Sequence, residues 1–426
     1  MKLNVFKLII FLFPIIFFSI FLILIYFEYK AYLVTNKNIT FGYFIKSNIL
    51  KVINFDINSK RVKERKIDKS FYSYDDFTDN GFLLVSGYNL KNKTSNVILF
   101  SIKDEKILHT WQPPINKIHE GSKNFTSEYN LKKNYRMQHP LLLKNGDLIF
   151  SSGEGPLVKI DKCSNYIWSN NRHFHHSIEE YNEKLIIAPM VLNDNLGKNY
   201  PILNHGFALV NKEDGSIKKK FSIFKILEDN NKIGLLYGVG EFEYDRIHLN
   251  DAEVIIKSDK FVQRGDIMLS SKHLSTVFLY RPKNNSIIWL KTGPWLNQHD
   301  VDYLGDGKFS IFGNDTFRYN KVDTHDVFLS QNNKIYIYDL NNDEIKTIYE
   351  KTMAEIKTPT QGLHEILDNG DVFIEDTDNF RLTRLSDKNK RWDYFNYLGE
   401  NKIGSIHWSR YLNEENKFEW MNNINC

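Results

Sequence analysis

Cysteine is nearly absent: the 426 residues contain only Cys163 and Cys426. Two thiols are too few for a disulfide-built scaffold, and without CxxC spacing they make no structural zinc site, so packing alone is expected to hold the fold. An excess of one charge is lacking too. Lys and Arg number 56 against 52 Asp and Glu, a net charge of +4, whereas a chain that grips nucleic acid carries a denser basic field. With 10 Pro and 22 Gly, the chain is neither collagenous nor low-complexity. No Walker loop, GxSxG or HExxH occurs, and no carboxylate pair is spaced as in a glycosidase, which removes support for phosphate-cradle, serine-hydrolase and zincin chemistry. What remains is a globular composition, 42% hydrophobic and 14% aromatic, with ample material for a large core.

Long apolar runs are absent after the first thirty residues. Leu8–Phe27 is an uncharged run of 20 residues, long enough to cross a bilayer as a helix. Lys2 and Lys7 precede it and no small-x-small cleavage site follows, so an uncleaved anchor over residues 1–28 is expected, with a cleaved signal peptide as the alternative. The positive flank places the N-terminus in the cytoplasm and the remainder in the periplasm or outside the cell. Residues 29–70 read as a stalk and first strand.

The rest is organised by repeats. A histidine, a polar turn and an apolar strand recur in QHPLLLKNGDLIF from Gln138, QHDVDYLGDGKFSIF from Gln298 and LHEILDNGDVFIE from Leu363. Looser copies begin at His175 and Ile247. Each is followed by a hairpin that often ends in tryptophan, as at Trp168 and Trp289, and another such hairpin ends at Trp111. Joined, the two phrases make a four-stranded antiparallel unit with a variable period of roughly 40–60 residues, the signature of a β-propeller blade. Six such units fit between Phe71 and Tyr411, giving an all-β, six-bladed β-propeller over 71–426, with Ile403–Tyr411 returning to complete the first blade. The longest insertions, near Ile115–Tyr135, Phe224–Asp245 and Lys351–Thr360, are expected as loops or short helices on the rims.

Equivalent positions in a propeller converge on its axis, so His139, His176, His248, His299 and His364 are expected to form a ring. Strand alternation sends Asn250 the same way as His248, and turns Asp300 and Glu365 away from the axis. Of the adjacent His175 and His176 only one is expected to face inward, and His176 is preferred because His176-Ser177 aligns with His299-Asp300. Lys272 supplies a positive charge or is a solvated lysine; Asn314 is a second amide donor or a turn residue. Imidazoles, amides and one cation suit an oxyanion such as sulfate or phosphate, although an imidazole ring also suits zinc or copper.

At these residues the chain resembles the bacterial arylsulfotransferase family, six-bladed propeller enzymes that move sulfate between phenols without a nucleotide donor. The matching pieces are GPLVKID, His175-His176, IHLN, DIMLSSK and QHDVDYLGDGKFSIFGND, scattered from about Asn80 to Trp392. The resemblance implies that His299 is a transiently sulfated nucleophile and that His176, His248, Asn250 and Lys272 hold the sulfuryl oxygens; the reading of the ring adds His139, His364 and Asn314 as substrate-binding residues. Lys272 stands where the family has arginine. No metal and no cofactor are expected; the partners are a small aryl sulfate donor, a hydroxyl acceptor and the membrane, with no nucleic acid. A second reading of the same channel is a non-catalytic, membrane-anchored propeller that binds an envelope partner or an anionic glycan.

Overall fold

Hairpin follows hairpin in the computed structural model, which describes residues 61–121, 135–153, 155–192, 202–237, 244–318, 326–413, 415–423 and 426. The expected anchor and most of the stalk lie outside these residues. Among the described residues no helix is long and apolar enough to cross a membrane. The compact unit begins at Arg61, earlier than the expected start at Phe71. Val62–Glu64 pairs with Lys402–Gly404, and Phe71–Ser73 adds an outer strand to the last sheet.

Most strands among the described residues fall into six antiparallel four-stranded groups, here called sheets I to VI; II and III are joined into one eight-stranded sheet where Phe174 pairs with Met190, and VI gains Phe71–Ser73 as a fifth strand. Sheet I joins Phe82–Asn89, Thr94–Ser101 and Lys106–Trp111 to the returning strand Arg410–Leu412. Sheet II runs from Gln138–Leu142 to Tyr166–Phe174, sheet III from Glu179–Glu180 to Ile217–Ser222, and sheet IV from Leu249–Val254 to Ser286–Thr292. Sheet V begins at Asp300–Gly305 and ends at Glu344–Ile348; sheet VI spans Leu363–Ile366 to Lys390–Phe395. The expected return of the chain to the first sheet is seen, shortened to three residues. Of the expected insertions, Ile115–Gly121 and Ile223–Asp229 are short helices, while 351–360 is built of turns.

A sheet with two apolar faces must be covered on both, and here each covers the next. Six apolar cores lie between consecutive sheets, the last uniting Phe373 and Leu382 of sheet VI with Leu83 and Val85 of sheet I. The recurring tryptophans pin these contacts. From the outer strand of one sheet, Trp111 Nε1 donates to Gly146 O and Trp168 Nε1 to Lys212 O of the following sheet, both at 3.1 Å, and Trp392 Nε1 donates to Asp79 Oδ2 at 2.8 Å. Trp289 instead stacks on Phe309 at 4.9 Å. Glycine is required where these rings press on turns: Gly146 has φ +87°, and a Cβ there would lie 2.5 Å from Trp420. The resulting arrangement is all-β and propeller-like.

One expectation is corrected. Packing does not act alone, because Cys163 and Cys426 form a disulfide across a sequence separation of 263 residues. Cysteine count alone excluded a disulfide scaffold, not a single long-range bridge. The bridge fixes the segment beyond the returning strand, whose Phe418 packs on Phe82 at 4.8 Å and whose Trp420 packs on Trp111 at 5.6 Å.

Candidate functional site

The first strand of each sheet faces one cavity of about 300 Å3. At the head of these strands the backbone turns through the left-handed region, with φ of 48° at His139, 59° at His176, 45° at His248, 50° at Asn297, 60° at Gln361 and 52° at Trp408. Such values are uncommon for residues with a Cβ, and their recurrence marks the true repeat position. Three histidines occupy it. His299 and His364 lie further along the chain, beyond Asn297 and Gln361 respectively, so the five expected ring members do not share one register.

His176 is nonetheless at the centre of a group. Its ring centroid lies 5.1 Å from that of His248, 6.4 Å from His299 and 5.6 Å from Trp408, on whose opposite contact His139 packs at 4.1 Å. Lys272 donates its backbone N–H to His248 O at 3.1 Å, and its charge bears on both His248 and His299. Asn250 Nδ2 donates to Gln298 O at 2.7 Å, leaving its buried Oδ1 without a hydrogen-bond partner. His364 has another partner: its Nδ1 donates to Asp300 Oδ2 at 2.6 Å, in the wall of the cavity.

Hydrogen bonds fix the protons. Asn314 Nδ2 donates to the carbonyls of Thr358 and Gln361, so its Oδ1 must accept from His299 Nδ1 at 2.6 Å. The lone pair of His299 therefore sits on Nε2, where it accepts a hydrogen bond from the Gln361 N–H at 3.2 Å. Asn314 is thus neither a free amide donor nor a plain turn residue; it positions the His299 ring. Asp245 does the same for the other rings. Its Oδ2 accepts from His248 Nδ1 at 2.6 Å and its Oδ1 from His205 Nε2 at 2.8 Å. His205 Nδ1 meets His175 Nε2 at 3.1 Å, and His175 Nδ1 meets His176 Nδ1 at 2.8 Å. Assigning protons outward from the carboxylate makes each ring donate toward Asp245, which leaves His176 Nε2 and His248 Nε2 as acceptors.

Two expectations about direction fail for one reason. His175 and His176 were to face opposite ways, yet their rings touch, because left-handed His176 lies outside any strand and breaks the alternation. Asp300 and Glu365 were to face away, yet both line the cavity. The strand of sheet V begins at Asp300, after His299, so alternation does not relate the two. His205, His273 and Asp245 were missed, although Asp245 stands three residues before His248 and offered a readable Asp-x-x-His spacing.

Burial holds the rings of His139, His175, His176 and His299 well below the ordinary imidazole range, with neighbouring cationic groups adding to the effect. His248 falls to about 3, burial outweighing the opposing pull of Asp245. Asp245 is held well below the usual carboxylate range, since hydrogen bonds from His205 and His248 outweigh its burial. The sign for stability follows from His139, His175, His176 and His248, which face Arg410, Lys272, His205, His273 and Asp245. A histidine whose folded pKa is depressed takes up its proton more readily unfolded, so stability is full above about pH 6.5 and is lost as pH falls below it. Denaturation midpoints from pH 8 to pH 5 should therefore be level and then fall; a midpoint unchanged at pH 5 would show that the rings are solvated or already charged.

Residues 139–396 match the model of the family described as Arylsulfotransferase (ASST). No curated protein matches the chain. Similar solved structures include a Bacteroides caccae protein of unknown function, 12% identical over 79% of this chain and 100% of that one, with a TM-score of 0.48. The WD40 β-propeller domain of Doa1 is 11% identical over 84% of this chain and 96% of that one, with a TM-score of 0.40. The Myceliophteria thermophila Cps50 β-propeller domain is 7% identical over 81% and 90%, also with a TM-score of 0.40. The family match spans more than half of the sequence and includes His139, His176, His248, Lys272, His299 and His364, and on that ground the chain belongs to the arylsulfotransferase family.

Proposed function

We propose that the protein transfers a sulfuryl group from an aryl sulfate to a phenolic or other hydroxyl acceptor through a sulfohistidine on His299 Nε2. The observation that carries this reading is the Asn314–His299 hydrogen bond, which leaves an unprotonated Nε2 beside His176, His248 and Lys272. In the first step the Nε2 lone pair gives up the Gln361 N–H and forms a bond to sulfur, the sulfur–oxygen bond of the ester breaks, and phenolate leaves. In the second, the acceptor oxygen attacks sulfur, the N–S bond breaks and His299 is restored. Lys272 offsets charge on the sulfuryl oxygens as a point charge, without the planar fork an arginine would offer.

The acceptor must lose a proton in the second step, and the ring chain can take it. A proton arriving at His176 Nε2 releases one from Nδ1 to His175, which passes one from Nε2 to His205, so the positive charge comes to rest beside Asp245. The reverse movement delivers a proton to the departing phenolate. Asp245 thereby sets which nitrogen of each ring faces the substrate. Replacing it by asparagine puts an N–H against His205 or His248 and reverses that ring's protons. Asp245→Asn should lower kcat about 10²-fold or more with a smaller change in KM.

The test is phenolate release from a chromogenic aryl sulfate, with and without a phenol acceptor. Acceptor-dependent release that drops in Asp245→Asn supports the scheme. A folded protein that releases nothing but retains an anionic glycan would replace it with the binding reading.

The proposal extends to architecture and place. The six cores and the returning strand support a closed six-bladed β-propeller. Leu8–Phe27 would anchor it, N-terminus in the cytoplasm, with the propeller outside, and the disulfide fits an oxidising compartment.

A further inference from the structure

The cavity that His139 and His299 line also holds a cluster of carboxylates. Six carboxylates line it, those of Glu179, Asp251, Glu253, Asp300, Asp302 and Glu365, and among the described residues the one lysine or arginine there is Arg410. Arg410 is engaged by Glu179, its Nη2 lying 3.0 Å from Oε1. Arg410 also bears on Glu365 and Asp251, so the six carboxylates share this one cation of the cavity wall.

A second observation, independent of the charge count, decides what kind of counter-ion fits. His364 is 3% exposed, its Nδ1–H is given to Asp300, and its Nε2 is buried in the cavity wall with no hydrogen-bond partner. That nitrogen is an orphaned lone pair, held in place by a carboxylate behind it, the arrangement that orients metal-ligating histidines. Asp302 Oδ2 lies 3.5 Å from it. Two atoms bound to one ion at about 2.0–2.2 Å in tetrahedral geometry stand about 3.3–3.6 Å apart. Asp300 stands on the far side of the ring, at Nδ1, and fixes the direction of Nε2.

We propose that this cluster binds one divalent transition-metal cation, of the Mn²⁺ or Zn²⁺ class, through His364 Nε2 and Asp302, with Asp300 orienting the imidazole from its Nδ1 side. One imidazole among carboxylates favours such an ion over Ca²⁺ or Mg²⁺, which take oxygen ligands. Its ligands come from sheets V and VI, and Asp251 and Glu253 of sheet IV stand close by, so the ion joins neighbouring sheets at the axis. The site is separate from the sulfuryl-transfer reading and does not depend on it.

The test uses the metal-stripped full chain, titrated with Mn²⁺ under electron paramagnetic resonance and with Zn²⁺ by calorimetry. The expected result is one ion per chain, with a raised thermal midpoint on loading. His364→Gln and Asp302→Asn should each weaken binding at least about 10-fold. Asp302→Asn is nearly isosteric and removes a buried charge, so it keeps the test open where His364→Gln disturbs folding. His205→Gln, which breaks the other His and Asp cluster at His205, Asp245 and His248, should leave binding unchanged. No bound ion at millimolar metal on the folded chain, or binding that survives Asp302→Asn but fails in His205→Gln, would overturn the proposal.

Discussion

Exposed to an aryl sulfate without acceptor, the wild-type chain should gain the mass of one sulfuryl group, and the His299→Ala chain should gain none. The expectation rests on where lone pairs are. His176 and His248 also present an unprotonated Nε2, but both are tied through their Nδ1 atoms to the Asp245 network, which suits them to move protons. His299 is tied to a neutral amide, whose own protons are committed to backbone carbonyls, so nothing behind it carries protons away. Steady-state transfer should fall on the order of 10⁴-fold or more in His299→Ala, because a two-step displacement loses its intermediate. Peptide mapping of the wild-type adduct should place the label on the peptide carrying His299. An adduct of equal yield in His299→Ala would move the nucleophile elsewhere.

Breaking the Cys163–Cys426 bridge should cost about 2–5 kcal/mol, whether by reductant or by Cys163→Ser. The bridge spans 263 residues and thus most of the sheets, so the unfolded chain it constrains is a very large loop. The loss should appear as a denaturation midpoint lowered by several degrees, with wild type under reductant matching Cys163→Ser. Equal midpoints with and without reductant would mean that Phe418 and Trp420 hold the segment by packing alone.

The parts of this structure written as repeats were legible. Hairpins ending in Trp111, Trp168 and Trp289 announced the sheets because an indole at that place reaches the next sheet, and spacing survives even where identity decays. The histidines were legible as a group but not in their register. Alternation was applied to His175-His176 and His299-Asp300 as if both pairs lay within strands, whereas left-handed residues at His176 and Asn297 re-aim the chain just before the strands begin. Backbone sign of this kind leaves no mark in side-chain pattern. His205 escaped for another reason: it meets His175 across sheet III, at the end of a different strand, and only the fold brings it there.

The returning strand has a consequence for how the chain reaches this state. Phe82–Leu84 waits for Arg410–Leu412 before its sheet is whole, and the residues between make up the other five sheets. During synthesis the first sheet therefore leaves the ribosome with an unpaired edge, and holds it until residue 412 has emerged. Completion of the first sheet is a late, long-range event, and the exposed edge of Phe82–Asn89 is the point at which a nascent chain would need shielding from other strands.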